Sequence, residues 1–571
     1  MSGNSMEQPS MNHFRPEKVF MPTSPESKEI VGRENIEFVV DSQSGKIIKI
    51  GNPRDVREWI DGKKSENPNV FFSSEDGDIV LPGMTDAHNH LVYGTLEVIG
   101  AGYVDGINSQ EQILRSIAMQ ALEGEVEKPK IILGHNTATV PNLFREDLDS
   151  VCYKRPLCVL DLSFHGARIN SAMAKILMET VLNEKREGRR VSGEFNEKTG
   201  QVTEGHALLT VQLAESFYGI DNIVEGMTKK LDGWIEQGIT DIHELYPMGG
   251  DLEAMLICRK NWERDRGNEF PVRQFFMNPN MLKQLKRDQK ILESKGLFNP
   301  DKDWKLMGLK LITDGSFGSH TAMMNESFSD GKGSGMEFNS VNEINNALEM
   351  VRDMGISNIA QHAIGDAAIK RALETAEKWV KMADKNNLDS TKFRIEHFEI
   401  PGGKADLDQA KSLGVWACSQ PNFLTDMIYR DRLSGRVTQL CPHADEINKG
   451  IPLLLGSDGM PSSALFGIYA ATHHPNPKQR ISFEQALVAY SMTAADYEHN
   501  NGRGRIAEGA SADIVIINKK TMNELLMGDA NEQSFTDLGN NRDALNEKVN
   551  DLESGIKKVF RQGKLVKDNK K

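Results

Sequence analysis

The sequence predicts an α/β fold, namely a (β/α)8 TIM barrel with a small β-sandwich domain attached. Apolar, strand-like runs alternate with amphipathic, helix-like runs through the middle of the chain, as in parallel sheets joined by crossover helices. Eight such strand-like runs are present, and eight parallel strands close into a barrel of this type. The predicted barrel strands are residues 79–88, 239–245, 272–277, 306–313, 357–362, 392–397, 415–420 and 451–457.

One connection between predicted strands is too long for a single helix. Other connections hold recognisable helices, such as residues 366–384, whose apolar residues recur at steps of three and four. By contrast, roughly 130 residues separate position 99 from position 228. We therefore expect a large insertion after the first barrel strand, over about residues 100–228, above the mouth of the barrel.

Both ends of the chain contain strand-like segments outside the barrel. These segments are rich in β-branched and apolar residues, which is typical of strands. They are residues 35–51, 511–518 and 556–566. We expect residues 18–81 and 504–571 to form one composite β-sandwich domain, and residues 82–503 to form the barrel.

Two polar stretches interrupt this pattern. Residues 1–17 contain few apolar residues, and we predict that they form a disordered tail. Residues 522–550 are rich in Asn and Asp. This composition predicts an exposed insertion between the last strands.

The composition indicates a cytoplasmic protein that binds neither nucleic acid nor membranes. The net charge of 68 − 82 = −14 argues against broad binding of nucleic acid or anionic lipid. No apolar run approaches the roughly 20 residues that a membrane span needs. The five cysteines form no CxxC pair, so neither a disulfide scaffold nor a cysteine zinc site is expected.

The first predicted barrel strand ends in a histidine pair. His88 and His90 are two residues apart, so on a strand both side chains point to the same side and can reach one metal ion. An HxH pair is also common as two hydrogen-bonded loop histidines. Further ligands nearby are needed to favour the metal.

A lysine occupies the middle of the fourth predicted strand. Lys310 lies between Leu309 and Leu311, and burial of an unpaired lysine carries a large desolvation cost. A salt-bridged structural lysine is the simplest explanation. The alternative is a neutral amine that reacts with carbon dioxide, because the resulting carbamate is a carboxylate on a long arm that can bridge two cations.

Three more predicted strands end near metal-binding side chains, namely His362, His397 and Asp458. Individually, each has an ordinary structural explanation, and an Asp before Gly is usually a turn residue. Barrel active sites, however, are built at the C-terminal ends of the strands, and imidazoles with carboxylates suit zinc. The predicted metal ligands are therefore His88, His90, Lys310, His362, His397 and Asp458.

The motifs around these residues resemble those of a known family. They read LPGMTDAHNH, LKLITDGSFGS, QHAIGD, RIEHFEI, QPNF, LLLGSDGMP and ALVAYSMTAADYEHNNGRGRIAEGASADIVIIN. From about residue 18 to 566 the chain resembles the amidohydrolase superfamily. Within it, the chain is most similar to the amidohydrolase-3 branch, which contains the YtcJ-like hydrolases and the N-substituted formamide deformylases.

The resemblance implies a site for one or two divalent ions, with zinc favoured. His88 and His90 would hold the first ion, and Lys310, carboxylated on its side-chain nitrogen, would bridge the two. The second ion would be held by His362 and His397. Asp458 would touch the first ion and shuttle the proton.

Four residues are candidate substrate contacts. The segment LDLSFHGARINSA resembles a family motif, which implies that His165 and Asn170 contact the substrate. His243 and Gln420 lie at the ends of the second and seventh predicted strands. A hydrogen-bonded structural role explains His243 equally well, and closing a loop explains Gln420 equally well.

The resemblance and the predicted ligands favour a hydrolase of non-peptide carbon–nitrogen bonds. A metal-bound hydroxide would attack an amide-type carbon, with Asp458 as catalytic proton shuttle. One alternative is a deaminase of purine- or pyrimidine-like rings, but such sites place Glu three residues after the histidine of strand five, where this chain has Gly365. A second alternative is an inactive scaffold, although scaffolds usually lose metal ligands. Self-association as a homodimer is left open.

Overall fold

The first part of the chain forms strands of a peripheral sheet. The computed structural model describes residues 10–569 except 25, 69–70, 92–94, 97–99, 105, 108, 126, 138–139, 163–164, 187–190, 246–250, 268–269, 278–292, 294–295, 297–298, 300–301, 501 and 529–531. The N-terminal elements are β1 (Ser10–Pro22), β2 (Ile30–Arg33), β3 (Glu37–Asp41), β4 (Lys46–Gly51), α1 (Pro53–Glu66) and β5 (Phe71–Pro82).

The predicted N-terminal tail is wrong for residues 10–17, because β1 begins at Ser10. This strand pairs with β3 along one edge and with β5 along the other. Phe14 is fully buried, and its ring stacks on Phe38 with centroids 4.6 Å apart. Pairing along both edges stabilises a strand whose composition alone is too polar to predict it. The rest of the predicted tail, residues 1–9, lies outside the described residues.

The insertion after the first barrel strand, β6 (Met84–Asn89), is an α/β unit with its own sheet. Its elements are β7 (Gly102–Tyr103), α2 (Gln110–Gln120), β8 (Lys130–His135), α3 (Arg145–Val151), β9 (Leu157–Asp161), β10 (Gly166–Ile169), α4 (Ser171–Arg186), β11 (Phe195–Asn196), β12 (Gln201–Thr203) and α5 (Gly205–Glu215). Along β9, Cys158 and Leu160 pack towards α4 and α5, whereas Leu157 and Val159 pack towards α2 and α3. Helices therefore cover both faces of this sheet.

After the insertion, strands and helices alternate as predicted. The elements are α6 (Ile220–Glu236), β13 (Ile239–Glu244), α7 (Asp251–Arg266), β14 (Val272–Met277), β15 (Trp304–Ile312), α8 (Val341–Asp353), β16 (Asn358–Ala363), α9 (Asp366–Lys385), β17 (Phe393–His397), α10 (Lys404–Ser412), β18 (Trp416–Ser419), α11 (Met427–Leu433), α12 (His443–Lys449), β19 (Leu453–Leu455), α13 (Ala464–Thr472), α14 (Phe483–Ala489) and α15 (Met492–Tyr497). Strands β6 and β13–β19 pair in parallel and in chain order. The predicted (β/α)8 barrel is confirmed.

Two predicted boundaries differ from the structure. The run predicted as the first barrel strand is divided at Gly83, because residues 79–82 belong to β5 of the peripheral sheet and only β6 belongs to the barrel. Helix α6 begins at Ile220, within the predicted insertion, and its Met227 and Leu231 are buried in the core around the barrel. The insertion therefore ends before α6.

The C-terminal part returns to the peripheral sheet. Its elements are β20 (Ile514–Ile517), α16 (Lys519–Met527), α17 (Glu532–Asn540), α18 (Arg542–Ser554), β21 (Ile556–Arg561) and β22 (Lys564–Asp568). The strand order is β22-β21-β20-β5-β1-β3-β4, with β2 paired to β1. Strands from both chain ends thus build one β unit. No helix among the described residues is long and apolar enough to cross a membrane.

The prediction that residues 522–550 form an exposed insertion is wrong. This stretch contributes to α16, α17 and α18, and within it Leu525, Phe535 and Leu545 are buried. The Phe535 ring stacks on Tyr469 of α13, with centroids 6.3 Å apart. Leu545, Val549 and Leu552 follow steps of four and three, so they share one helix face. Although the stretch is polar overall, its few apolar residues recur at helical spacing, and that spacing indicates a helix.

The barrel closes between its first and last strands at a glycine. Gly456 follows β19, and a Cβ atom there would collide with the backbone nitrogen of His88 and lie 2.8 Å from its Cβ. Two residues later, the Asp458 N–H donates a 2.8 Å hydrogen bond to the His88 carbonyl. The missing side chain at Gly456 therefore brings two predicted metal ligands together.

We expect Gly456→Ala to lower the free energy of unfolding by about 1–3 kcal/mol, the usual cost of overpacking a rigid site. The matched control is Gly62→Ala, which lies in the exposed part of α1 with nothing within 4 Å of the added Cβ. The control is expected to stabilise slightly, because Ala favours helices over Gly by roughly 1 kcal/mol. Chemical denaturation of both variants measures the difference, and equal stabilities would contradict this account of closure.

Candidate active site

Four histidine rings converge at the C-terminal mouth of the barrel. The ring centroids of His88 and His90 are 5.4 Å apart, those of His88 and His397 are 4.8 Å apart, and those of His362 and His397 are 4.3 Å apart. Ligand atoms of His88, His90 and Asp458 all lie within 4.8 Å of one another. The structure brings together these five predicted ligands from four strand ends.

The donor atoms of this cluster fit a metal ion. His88 Nε2 and His397 Nδ1 are buried without a hydrogen-bond partner among the described residues, which is costly unless a ligand occupies the space. Burial lowers the pKa of His88, His362 and His397 well below the ordinary value. These rings are therefore neutral, which is the form of imidazole that binds metals.

An unusual backbone conformation turns His397 into the site. Along β17, Phe393 and Ile395 pack outwards into the core beneath the helices, whereas the intervening Arg394 and Glu396 are fully buried. Simple alternation would place His397 outside with Ile395. A φ of +71° at His397 reverses its direction, at a cost of about 1–3 kcal/mol. Such strain is characteristic of functional sites.

Asp458 also has a left-handed backbone, with φ +52°. One of its carboxylate oxygens, Oδ1, lies 3.0 Å from Nε2 of His90 and 3.7 Å from Nε2 of His88. Burial raises the pKa of Asp458, but His88, His90 and Lys310 outweigh burial and lower the pKa below its ordinary value. The side chain is therefore an ionised carboxylate, suited to binding a cation and accepting a proton.

Lys310 lies on β15, and only 3% of its surface is exposed. Its neighbours Leu309 and Leu311 are buried in the core around the barrel. Burial lowers the pKa of Lys310, although the nearby Glu396 and Asp458 oppose the shift. Because the pKa is lowered, a larger fraction of the Lys310 amine is neutral. Only the neutral amine reacts with carbon dioxide.

The insertion contributes His165 to the site. The His165 ring lies 5.5 Å from the His362 ring, and its Nδ1 is 2.8 Å from Glu204 Oε2. Burial lowers the pKa of His165, but Glu204, Asp161 and Asp458 more than compensate and raise it to about 9. His165 is therefore an imidazolium at neutral pH, close to the metal-binding rings.

The prediction that Asn170 contacts the substrate is wrong, because its amide is saturated by backbone groups. Its Oδ1 accepts hydrogen bonds from the N–H groups of Leu157 and Met173, each 3.0 Å long. Its Nδ2 donates to the carbonyls of Cys152 and Arg155, at 2.5 and 2.8 Å. Asn170 ties α4 to β9 and leaves nothing for a ligand.

His243 is also not a substrate contact. It is fully buried, its Nδ1 lies 2.7 Å from Nη1 of Arg394, and its Nε2 lies 2.9 Å from Glu498 Oε1. Both ring nitrogens are therefore occupied by protein groups. Gln420 is buried after β18, where its Nε2 donates to the Cys418 carbonyl at 3.3 Å, and its substrate contact stays a prediction.

Three acidic residues near the site were missed. Asp314 follows β15, with Oδ1 3.5 Å from His362 Nε2, and burial raises its pKa to about 7. Glu204 binds His165, and Glu396 Oε2 accepts a 2.6 Å hydrogen bond from His88 Nδ1. A signal was available for two of them, because Asp314 and Glu396 lie in the motifs around Lys310 and His397.

A second group with metal-ligand spacing consists of His88, Glu396 and Cys418. Glu396 is already bound by Arg394 and by His88 Nδ1. Burial raises the pKa of the Cys418 thiol well above its ordinary value, which disfavours the thiolate that binds metals. The group with His90 and Asp458 is therefore the better metal site.

Two curated proteins resemble most of this chain in sequence. Protein LONG AFTER FAR-RED 3 of Arabidopsis thaliana is 25% identical over 520 residues, 84% of each chain. The putative amidohydrolase YtcJ of Bacillus subtilis is 23% identical over 486 residues, covering 80% of this chain and 87% of the relative.

Solved structures share the fold. A metal-dependent hydrolase from Pyrococcus horikoshii gives a TM-score of 0.66 at 20% identity, over 89% of this chain and 97% of that one. Atrazine chlorohydrolase TrzN from Arthrobacter aurescens, complexed with zinc, gives 0.52 at 11% identity, over 98% and 95%. The amidohydrolase family matches residues 76–566, most of the chain. This protein therefore belongs to the amidohydrolase family, in its amidohydrolase-3 branch.

Proposed function

We propose that this protein hydrolyses a non-peptide, amide-type carbon–nitrogen bond in a small molecule with the help of a divalent metal. Hydrolysis as the reaction class follows from the family. The observation that carries the proposal is the cluster of four histidine rings at the barrel mouth, two of which, those of His88 and His90, lie beside the ionised Asp458.

In this proposal the two ends of the histidine cluster would hold two ions. His88, His90 and Asp458 would hold the first, and His362 and His397 would hold the second. Lys310, if carboxylated on its side-chain nitrogen, would supply a further carboxylate ligand to both, and its lowered pKa supports that modification. Bound divalent ions would lower the pKa of a coordinated water and polarise the substrate carbonyl. Zinc is favoured by the imidazole-rich ligand set.

The protein's own groups manage protons and charge. Asp458 accepts the proton of the attacking water as the new carbon–oxygen bond forms. It then delivers that proton to the nitrogen, which leaves as an amine when the carbon–nitrogen bond breaks. The His165 imidazolium, held by Glu204, stabilises the negative charge that develops on the carbonyl oxygen.

The deaminase alternative is disfavoured by the backbone at Gly365. That position is where a deaminase of this superfamily would place its Glu. A Cβ atom at Gly365 would collide with the carbonyl oxygen of Met323, so no larger side chain fits without a rearrangement. The scaffold alternative is disfavoured because all six predicted ligands are present.

Metal content and hydrolysis of N-acyl compounds test the proposal together. Protein purified without chelators is expected to hold about two divalent ions per chain by elemental mass spectrometry. It should release amine from members of a panel of N-formyl, N-acyl and cyclic amides, and chelation should abolish that activity. About one ion would remove the bridging role of Lys310. Absence of metal after adding zinc and bicarbonate would overturn the proposed function.

The cytoplasmic location and a homodimer remain proposals from the sequence.

A further inference from the structure

Behind His88 lies a buried series of polar side chains that the proposed reaction does not use. It starts at Glu396, whose Oε2 accepts a hydrogen bond from His88 Nδ1 at 2.6 Å. Arg394 donates to both carboxylate oxygens of Glu396, from Nη2 at 3.0 Å and from Nε. All three side chains are almost completely inaccessible. Charged groups this deep are rare unless each one is paired.

Arg394 is anchored by further groups inside the barrel. Its Nη2 donates to the Ala87 carbonyl at 2.5 Å, and its Nη1 donates to His243 Nδ1 at 2.7 Å. Its guanidinium also lies over the ring of Phe275, 5.0 Å from the centroid. The guanidinium is planar and has no freedom left to rotate away from Glu396. The position of Glu396 therefore depends on Arg394.

The next residues in this series determine which ring nitrogen of His243 carries the proton. Its Nδ1 must accept from Arg394, because a guanidinium only donates. The proton of the neutral ring is then on Nε2, which donates to Glu498 at 2.9 Å. Glu498 is held by Arg273, whose Nε donates to its Oε2 at 2.5 Å. Each hydrogen bond in the series thus has one assigned direction.

The same reasoning assigns the proton of His88. Glu396 accepts hydrogen bonds from the Arg394 guanidinium on both of its side-chain oxygens, so it pairs with Arg394 as an ionised carboxylate. An ionised carboxylate only accepts, so His88 carries its proton on Nδ1. The opposite nitrogen, Nε2, then has a free lone pair, and it is the atom that lacks a hydrogen-bond partner.

We propose that Glu396, Arg394, His243 and Glu498 are positioning residues that make His88 present its Nε2 lone pair to the metal. Carboxylate partners of metal-binding histidines commonly act in this way. Here the control extends through Arg394 and His243 to Glu498, which follows α15 beyond the last barrel strand. The inference rests on the proposed metal site and goes beyond it, because none of the four residues touches the metal or the substrate.

The test compares zinc affinity among four variants by competition with a chelating dye. Glu396→Gln removes the charge that orients His88. His243→Phe removes both hydrogen bonds of His243, whereas His243→Gln can still accept from Arg394 and donate to Glu498. Glu446→Gln is the matched control, because Glu446 is equally buried, lies outside the site and has its pKa raised to about 8 by burial, so it is largely neutral at pH 7. The visible spectrum of each cobalt-loaded variant reports ligand geometry.

We expect Glu396→Gln and His243→Phe to weaken zinc binding by about 10–100-fold and to shift the cobalt spectrum. His243→Gln and Glu446→Gln should bind as the unmodified protein does. Wild-type affinity and an unchanged spectrum in folded Glu396→Gln or His243→Phe would overturn the inference while leaving the metal site intact. If Glu396→Gln does not fold, the comparison of His243→Phe with His243→Gln tests the inference. Absence of zinc from the unmodified protein would instead overturn the proposed function.

Discussion

Asp458→Asn is expected to lower turnover by about 10²–10⁴-fold, the usual contribution of a general acid–base group. The amide keeps the size of the side chain and one oxygen, so it still faces His90, 3.0 Å away in the native protein. It has no ionisable group at the pH of the reaction, and the proton of the attacking water has no acceptor. The measurement is kcat on the best substrate from the amide panel, with metal content determined on the same sample.

The matched control is Asp366→Asn. Asp366 opens α9 after barrel strand β16, and its Oδ1 accepts hydrogen bonds from the N–H groups of Asn325 and Ala367. An amide oxygen can accept the same bonds, so activity should stay within about twofold of the unmodified protein. Near-normal turnover in Asp458→Asn would remove Asp458 from the mechanism. Loss of metal in that variant would show that its main role is ligation.

Lys310→Ala is expected to reduce the metal content from about two ions to about one per chain, with nearly complete loss of activity. The substitution removes the amine proposed to form the bridge and leaves a cavity where the buried side chain was. Short carboxylates such as acetate or propionate should fill that cavity and restore part of the metal content and activity. Elemental mass spectrometry with and without added carboxylate measures the effect.

Lys305→Ala provides the control for this experiment. Lys305 lies near the start of the same strand, β15, and is only partly buried. Its pKa is also lowered by burial, so the two lysines share the same strand and a similar electrostatic trend. The control should keep its metal. Unchanged metal content in Lys310→Ala would contradict the bridging role.

The barrel was predictable because its signals are local. Each strand is an apolar run bounded by polar residues, as in β16, and the long helix α9 shows its apolar stripe directly. The meeting of the proposed metal ligands at one end of the barrel was predictable for the same reason. Strands of a parallel barrel all end at one face, so the residues that follow them must meet there whatever the loops do.

The surroundings of His243 could not be predicted from its position at a strand end. It lies near the end of β13, as His362 lies near the end of β16. The sequence pattern is the same for both residues, yet His362 joins the histidine cluster and His243 is enclosed by Arg394 and Glu498. The partners of His243 come from positions 151 and 255 residues away. Their approach depends on how the strands are staggered around the barrel.

Asn170 and residues 522–550 were misjudged for a related reason. A polar side chain seeks a partner, and its type does not reveal whether that partner is a ligand or a backbone group. Asn170 finds four backbone groups, and the polar C-terminal stretch buries its few apolar residues against α13. Both outcomes require surfaces that are distant in the chain.

The sequence by itself determined the barrel, the family and the clustering of the proposed metal-binding side chains, because these depend on strand periodicity and on residues adjacent to strand ends. Only the tertiary structure decided which nitrogen of His88 is bound by Glu396, that His397 turns inwards through a left-handed backbone, and that His165 reaches the site from the insertion. These features arise from long-range packing, since Glu396 lies 308 residues from the histidine it orients. Hydrogen-bond direction and backbone strain are properties of the assembled barrel, so no periodic pattern in the sequence indicates them.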